Sequence, residues 1–400
     1  MSAYSREELA ERAGVGVEFI DRLVGLGLLA PAAGPKPFGP AGVYRIRLVI
    51  ACEQAGLRAE SLSEAVKTGK ITLSFLDQPH FRWSFLGSKN YRQIAEEAGL
   101  DLDLVLDSVQ ALGYVRPAPD DRIREDDLEM IPLIQLVAPS MDHEAIVRTA
   151  RVSAESVRRI VEAEAAIYDE FFLGEFLRQG VPFPEAADIA NQVAAAATPL
   201  QERFILMNYR RQQEKRWTEY SVEIIENVMD EMGLYERPAR PPAFGFVDLA
   251  GYTRLTEERG DRAVARLAGE LSEMVDVVAR HHGGQPVKWL GDGIMVHFRN
   301  AGRAVTGTLE IVQRAPEVGL PAHAGVAAGP AVFQDGDYYG RTVNMAARIA
   351  SHAHPGQTLV SGETAELASG GPVSFREIGP VELKGFTNPV LVYEALAARG

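Results

Sequence analysis

Apolar residues recur at helical spacing through almost all of the chain before residue 235, and strand-like apolar runs alternate with helical patterns after residue 242. The two regimes meet at Tyr235-Glu236-Arg237-Pro238-Ala239-Arg240-Pro241-Pro242. Proline lacks an N–H and fixes φ, so this stretch can neither continue a helix nor lie inside a sheet; it reads as a linker. Beyond it, Phe244 to Val247 forms an apolar run ending at Asp248, and a helical pattern follows from 253 to about 281. Val287-Lys288-Trp289-Leu290 and Ile294-Met295-Val296 then flank Gly291-Asp292-Gly293, the pattern of a tight hairpin. A helix near 301–315 and a strand around Ala322–Ala328 complete a strand-helix-strand-strand-helix-strand order, the ferredoxin-like plan.

The helical half contains a weak internal repeat. Ser5-Arg-Glu-Glu-Leu-Ala-Glu-Arg-Ala-Gly14 is echoed by Asn90-Tyr-Arg-Gln-Ile-Ala-Glu-Glu-Ala-Gly99. Each is followed by a second apolar helix ending at Gly27 or Gly113, which is a helix-turn-helix arrangement. The first copy, with Gly27-Leu28-Leu29-Ala30-Pro31 and the downstream Tyr44-Arg45, resembles the MerR-type winged helix. Its charges argue against DNA binding. The recognition position of copy one carries Glu18 and Asp21 beside Arg22, and copy two carries Asp101, Asp103 and Asp107 with no basic residue. Phosphates and base edges are met through Arg, Lys, Asn or Gln. Further helices are expected over about 140–195. Thr198-Pro199-Leu200-Gln201 reads as a helix start, with Thr198 as N-cap and Pro199 at the first position. That helix runs to Met232, and Arg210 to Arg216 interrupts its apolar stripe, so it reads as a solvent-crossing connector.

The totals narrow the class. Four hundred residues at 46% hydrophobic content support two or three domains, taken as 1–75, 76–198, a connector with linker at 199–242, and 243–400. A net charge of -14 disfavours nucleic acid and anionic lipid as partners. Cys52 is the single cysteine, which excludes an internal disulfide. No secretory signal and no membrane-spanning apolar run are visible, so a cytoplasmic protein is expected.

The C-terminal motifs carry a family resemblance over about 243–397. Phe246-Val-Asp248-Leu-Ala-Gly251-Tyr-Thr, Lys288-Trp-Leu-Gly-Asp292-Gly, Gly325-Val-Ala-Ala-Gly329 and Asp337-Tyr-Tyr-Gly-Arg-Thr-Val-Asn344-Met-Ala-Ala-Arg348 resemble the class III nucleotidyl cyclase catalytic domain. Val381-Glu-Leu-Lys384-Gly-Phe is similar to that family's last sheet segment. The fold class expected is therefore α+β, a ferredoxin-like cyclase domain preceded by an all-α regulatory region.

The chemistry fits these residue types. In-line displacement at a phosphorus suits two divalent ions, Mg²⁺ or Mn²⁺, held by carboxylates. Asp248 at a strand end and Asp292 at a hairpin tip are the expected metal ligands. The turn through Gly251, Tyr252 and Thr253 enters a helix N-terminus, a natural seat for a triphosphate. Asn344 and Arg348 share one helical face at i, i+4. The resemblance assigns Asn344 to the ribose, Arg348 to the charge on the α-phosphate, and Lys288 with Asp337 to the adenine edge. Guanine presents the reverse donor and acceptor pattern, so ATP is favoured over GTP. Lys384 is placed near the distal phosphates. The resemblance also implies a homodimer whose shared sites join Asp248 and Asp292 of one chain to Lys288, Asp337, Asn344 and Arg348 of the other. The function expected is an adenylate cyclase controlled by its helical region, with a shift of the 199–232 helix opening or closing the sites. The alternatives are a nucleotide-sensing transcription regulator and a non-catalytic homologue. His80 and His143 are the histidines open to an N-terminal switch.

Overall fold

Both echoed segments begin with the same local device, because Ser5 and Asn90 each stand three residues before a side chain able to cap back. In the computed structural model, which describes residues 3–77, 84–236 and 241–397, Ser5 opens helix α1 (Arg6–Ala13) with a capping box completed by Glu8. Helix α2 (Val17–Leu26) follows across Gly14. Helices α3 (Ala41–Gln54) and α4 (Ala59–Lys67) then close a core around Leu9, Ile20, Leu23 and Ile46. The second copy is preceded by strand β1 (Leu86–Asn90) and opens at α5 (Tyr91–Ala98) with Asn90 and Gln93 forming the box. Helix α6 (Leu102–Ala111) is capped by Asp101, whose side chain accepts from the Leu104 N–H at 2.9 Å. Strand β2 (Arg122–Arg124) pairs antiparallel with β1 as a wing. The acidic residues on these helices have work inside the fold. Asp107 accepts from Arg116 at 2.7 Å, Asp103 pairs with the same guanidinium, and Arg22 spans Glu53 and Glu60 at 2.9 and 2.8 Å.

Helices α7 (Ile131–Val137), α8 (His143–Ile167) and α9 (Gly174–Arg178) lead onward, with a π-helical turn at Tyr168–Leu173 between the last two. His143 contacts Asp107 at 3.0 Å, whereas His80 lies outside the described residues. Helix α10 (Phe183–Glu231) corrects the start expected at Thr198: it is one 49-residue helix with Pro199 inside it. The alanine-rich turn upstream favours helix strongly enough to carry the chain through a position where one backbone bond is missing. Thr198, rather than capping, donates its hydroxyl back to the Ala194 carbonyl at 2.9 Å. The chain divides into two compact units at residues 223 and 224. No helix among the described residues is long and apolar enough to cross a membrane.

The second unit is built on β3 (Ala243–Leu249). It is followed by α11 (Tyr252–Arg259), α12 (Asp261–His281), the hairpin β4 (Gly284–Leu290) and β5 (Gly293–Phe298), then α13 (Ala301–Arg314) and β6 (Ala322–Ala328). A small hairpin, β7 (Val332–Gln334) with β8 (Asp337–Tyr339), leads into α14 (Arg341–Ala350). β9 (Thr358–Ser361), α15 (Gly362–Leu367), β10 (Val373–Val381) and β11 (Val390–Ala397) complete it. The helix expected over 253–281 is two helices, interrupted at Gly260. Seven strands form one mixed sheet in the order β10-β11-β9-β6-β3-β5-β4. Strand alternation sorts β3 and β5 onto two faces. Val247, Leu249, Ile294 and Val296 pack beneath α12 and α13, while Phe244, Phe246 and Met295 pack beneath α14. Each such buried side chain contributes about 1.5–3 kcal/mol relative to exposure. Gly325 sets how close α14 comes: a Cβ there would overlap the helix backbone at Ala346 and Ala350. That explains the first glycine of its motif by packing, independently of chemistry.

Candidate active site

Asp248 stands second from the end of β3, in the same alternation as Phe244 and Phe246, so it faces the α14 side of the sheet. Its cross-strand neighbours are Gly293 on β5 and His323 on β6. A Cβ at position 293 would overlap the Asp248 carboxylate oxygen, so a larger residue there would have to turn that carboxylate aside. The two-residue turn Gly291-Asp292 is latched to the end of β3 by the Leu249 N–H, which donates to the Asp292 carbonyl at 3.1 Å. The hairpin tip therefore brings a second carboxylate beside the first. Burial pushes the Asp248 carboxyl above its ordinary value; His323 counteracts this, and the negative charge of Asp292 adds to it. Neither carboxylate has a hydrogen-bond or ion-pair partner among the described residues. No cluster of three or more His, Cys, Asp or Glu suited to a metal forms among those residues, so this chain offers two carboxylates. That donor set suits Mg²⁺, which binds through one or two carboxylates plus substrate phosphates.

Sequence reading missed His323, which is partly buried and stands opposite Asp248 on β6, and whose buried Nδ1 makes no hydrogen bond among the described residues. It lies 75 residues downstream in a small-residue strand, and only the sheet register brings it there.

Lys288 on β4 and Asp337 at the start of β8 form an ion pair, both side chains partly buried. The Asp337 side chain also accepts from the Tyr338 N–H at 2.8 Å. The small hairpin carrying Asp337 is anchored by rings: Tyr338 stacks on His297 with centroids 4.6 Å apart and meets Phe244 at 5.1 Å. Asn344 and Arg348 stand on the exposed face of α14, because Val343, Ala346, Ile349 and Ala350 occupy the buried one. Neither has a side-chain partner among the described residues. No hydrogen bond or ion pair among those residues links the Asp248–Asp292 pair to Lys288, Asp337, Asn344 or Arg348.

Gly251, at φ 84, turns the chain from β3 into α11, and the Leu255 N–H donates to its carbonyl at 3.0 Å. Tyr252 begins that helix and packs partly against the main core. The side chain of Thr253 lies outside the described residues. Lys384, expected on a strand, is instead exposed in the turn between β10 and β11, because pairing of β10 stops at Val381.

Comparison with known proteins places two domain families on the chain. Residues 52–212 match the adenylate cyclase regulatory domain, and residues 236–394 match the adenylate and guanylate cyclase catalytic domain. An uncharacterized protein of Mycobacterium tuberculosis is 26% identical over 88% of this chain and 90% of its own length. The pH-sensitive adenylate cyclase of the same species is 26% identical over 76% of each chain. Among solved structures, the adenylyl cyclase CyaB from P. aeruginosa is 26% identical, covering 40% of this chain and 95% of that one at a TM-score of 0.37.

Proposed function

The chain joins an adenylate cyclase regulatory domain to a catalytic domain of the adenylate and guanylate cyclase family, and from that premise we propose that it is an adenylate cyclase working as a homodimer. The reaction forms a bond between the ribose 3′-oxygen of ATP and its own α-phosphorus. The bond to the bridging oxygen breaks, pyrophosphate leaves, and the 3′-hydroxyl proton is released. The observation that carries the reading is the Lys288–Asp337 pair. It sets a donor beside an acceptor, the complement of the adenine ring nitrogen and 6-amino group, and guanine would mispair with both.

Asp248 and Asp292 would hold two divalent ions, Mg²⁺ or Mn²⁺. Such ions activate an attacking oxygen and stabilise charge on leaving phosphates when bound. The raised Asp248 carboxyl fits that role, since a nearby cation relieves the burial and the repulsion that lift it. Asn344 orients the ribose, and Arg348, four residues on, lies ready to offset charge developing on the α-phosphate. Gly251, Tyr252 and Thr253 seat the triphosphate at the start of α11, and Lys384 extends to its distal end. No hydrogen bond or ion pair among the described residues joins the two groups within one chain, and in this reading each complete site draws Asp248, Asp292 and the turn at Gly251 from one copy and Lys288, Asp337, Asn344 and Arg348 from the other.

The test is cyclic nucleotide formation by the purified full chain with ATP or GTP and Mg²⁺ or Mn²⁺, beside Asp248→Ala. Activity with ATP that Asp248→Ala abolishes is expected. Mixing Asp248→Ala chains with Arg348→Ala chains restores one intact site per heterodimer. Failure to recover activity in confirmed mixed dimers contradicts the shared site.

A further inference from the structure

Strands β7 and β8 pair with each other and with no strand of the main sheet. A two-stranded hairpin is marginally stable at best by itself, so this one keeps its place through what it packs against. Its turn is Asp335-Gly336, with φ at 56° and 78°, and Asp337 follows at once. Val332, Phe333 and Tyr339 are exposed. Tyr338, packed against the cluster around Phe244 and Met295, is the aromatic side chain that ties the hairpin to the sheet.

The ring beneath Tyr338 is that of His297, with centroids 4.6 Å apart and planes within 16° of parallel. Register puts it there. His297 stands opposite Phe244 across β3 and β5, two residues beyond Met295, so strand alternation turns it to the α14 face. Lys288, opposite Met295 across β4 and β5, belongs to the same face. The path from His297 to the base pair is then short. Its ring carries the Tyr338 ring, the Tyr338 N–H donates to one Asp337 oxygen at 2.8 Å, and Lys288 pairs with the other oxygen.

We propose that His297 is a positioning residue for nucleotide selectivity. Acting through Tyr338, it fixes the hairpin where the Asp337 carboxylate and Lys288 can meet one edge of a purine, without touching the nucleotide itself. This rests on the assignment of Lys288 and Asp337 to the base edge. Adenine and guanine share an outline there and differ in the order of donor and acceptor, so discrimination depends on holding the carboxylate at hydrogen-bond distance. A displacement of about 1 Å is enough to lose much of it. Stacking needs a flat ring, so phenylalanine can replace His297, whereas alanine and leucine cannot.

The experiment uses the full chain with Mg²⁺ and the α,β-methylene analogues of ATP and GTP, which cannot release pyrophosphate, and reads their affinities by titration calorimetry. His297→Ala is expected to lower the preference for the ATP analogue about tenfold. It should speed amide exchange across residues 332–339 by a similar factor and leave the β10–β11 pair exchanging as in wild type. His297→Leu fills the space without a flat face and should behave alike, whereas His297→Phe should keep wild-type preference and exchange. In an Asp337→Ala background, His297→Ala should change the preference no further.

An unchanged preference or unchanged hairpin exchange in His297→Ala and His297→Leu overturns the positioning role. So does an equal loss for both analogues, a His297→Phe chain that loses the preference, or an effect of the same size that persists without Asp337. An Asp337→Ala chain with undiminished preference overturns the base assignment and this role with it. Loss of preference in Asp337→Ala without loss in His297→Ala overturns this role alone. None of these readouts requires turnover, so a chain that selects the ATP analogue but forms no cyclic nucleotide would refute the enzymatic reading and leave the role of His297 standing.

Discussion

Charged side chains on the helix-turn-helix copies and those at the candidate site have different surroundings. In the helix-turn-helix copies, Arg22 spans Glu53 and Glu60, Arg116 spans Asp103 and Asp107, and Arg45 meets Asp77 at 2.6 Å. Asp101, on what would be a recognition helix, is an N-cap. In the second unit, Asp248 near the end of β3, Asp292 in the hairpin turn, and Asn344 and Arg348 on α14 stand without side-chain partners among the described residues. A charge held in place and left unsatisfied is available for a ligand, whereas a paired one, such as Lys288 with Asp337, must exchange its partner to meet one.

The comparison can be tested at graded strength. Arg348→Ala should lower kcat by about a hundred- to a thousandfold, the usual cost of one donor aimed at transition-state charge, with little change in thermal stability. Steady-state kinetics beside a melting curve separates the two. Asp337→Ala should be smaller and selective. It removes one half of the base-edge pair, so the ratio of kcat/KM for ATP over GTP should fall by about ten- to a hundredfold. A uniform loss on both nucleotides would assign Asp337 to packing.

The N-terminal half should respond in stability. Tyr91 donates to the buried Asp127 at 2.6 Å, and Tyr91→Phe should cost about 1–3 kcal/mol in urea unfolding by leaving that carboxyl without its donor. Burial pushes the Asp127 carboxyl above its ordinary value, with Tyr91 opposing the shift. The folded chain therefore holds this proton more tightly than the unfolded chain. Its contribution is most favourable below the unfolded value, near about pH 4, and is lost as pH rises through the folded one. Asp127→Asn should flatten that part of the stability profile. Arg22→Ala, which breaks exposed pairs, should change the melting temperature by no more than about a degree and leave turnover untouched. A large change in either would mean that this arginine is more than a strut.

Much of this arrangement was legible in the residues. The repeat of Ser5–Gly14 at Asn90–Gly99, the proline-rich boundary, the hairpin at Gly291-Asp292 and the i, i+4 pair on α14 are local patterns, set by hydrogen bonds and periodicities spanning a few residues. Local signals misled where a longer-range balance governed. Thr198-Pro199 has the chemistry of a helix start, yet the alanine-rich turn before it carries α10 straight through.

The sequence by itself determined the order of elements, the identity of the polar groups and the step of four between Asn344 and Arg348, because each depends on covalent neighbours. Only the tertiary structure decided that His323 stands opposite Asp248, that Gly293 makes room for its carboxylate, and that Tyr338 stacks on His297 beneath the hairpin carrying Asp337. Those contacts join residues tens of positions apart through sheet register. Register is the summed result of packing both faces of the sheet, which no short stretch of chain encodes.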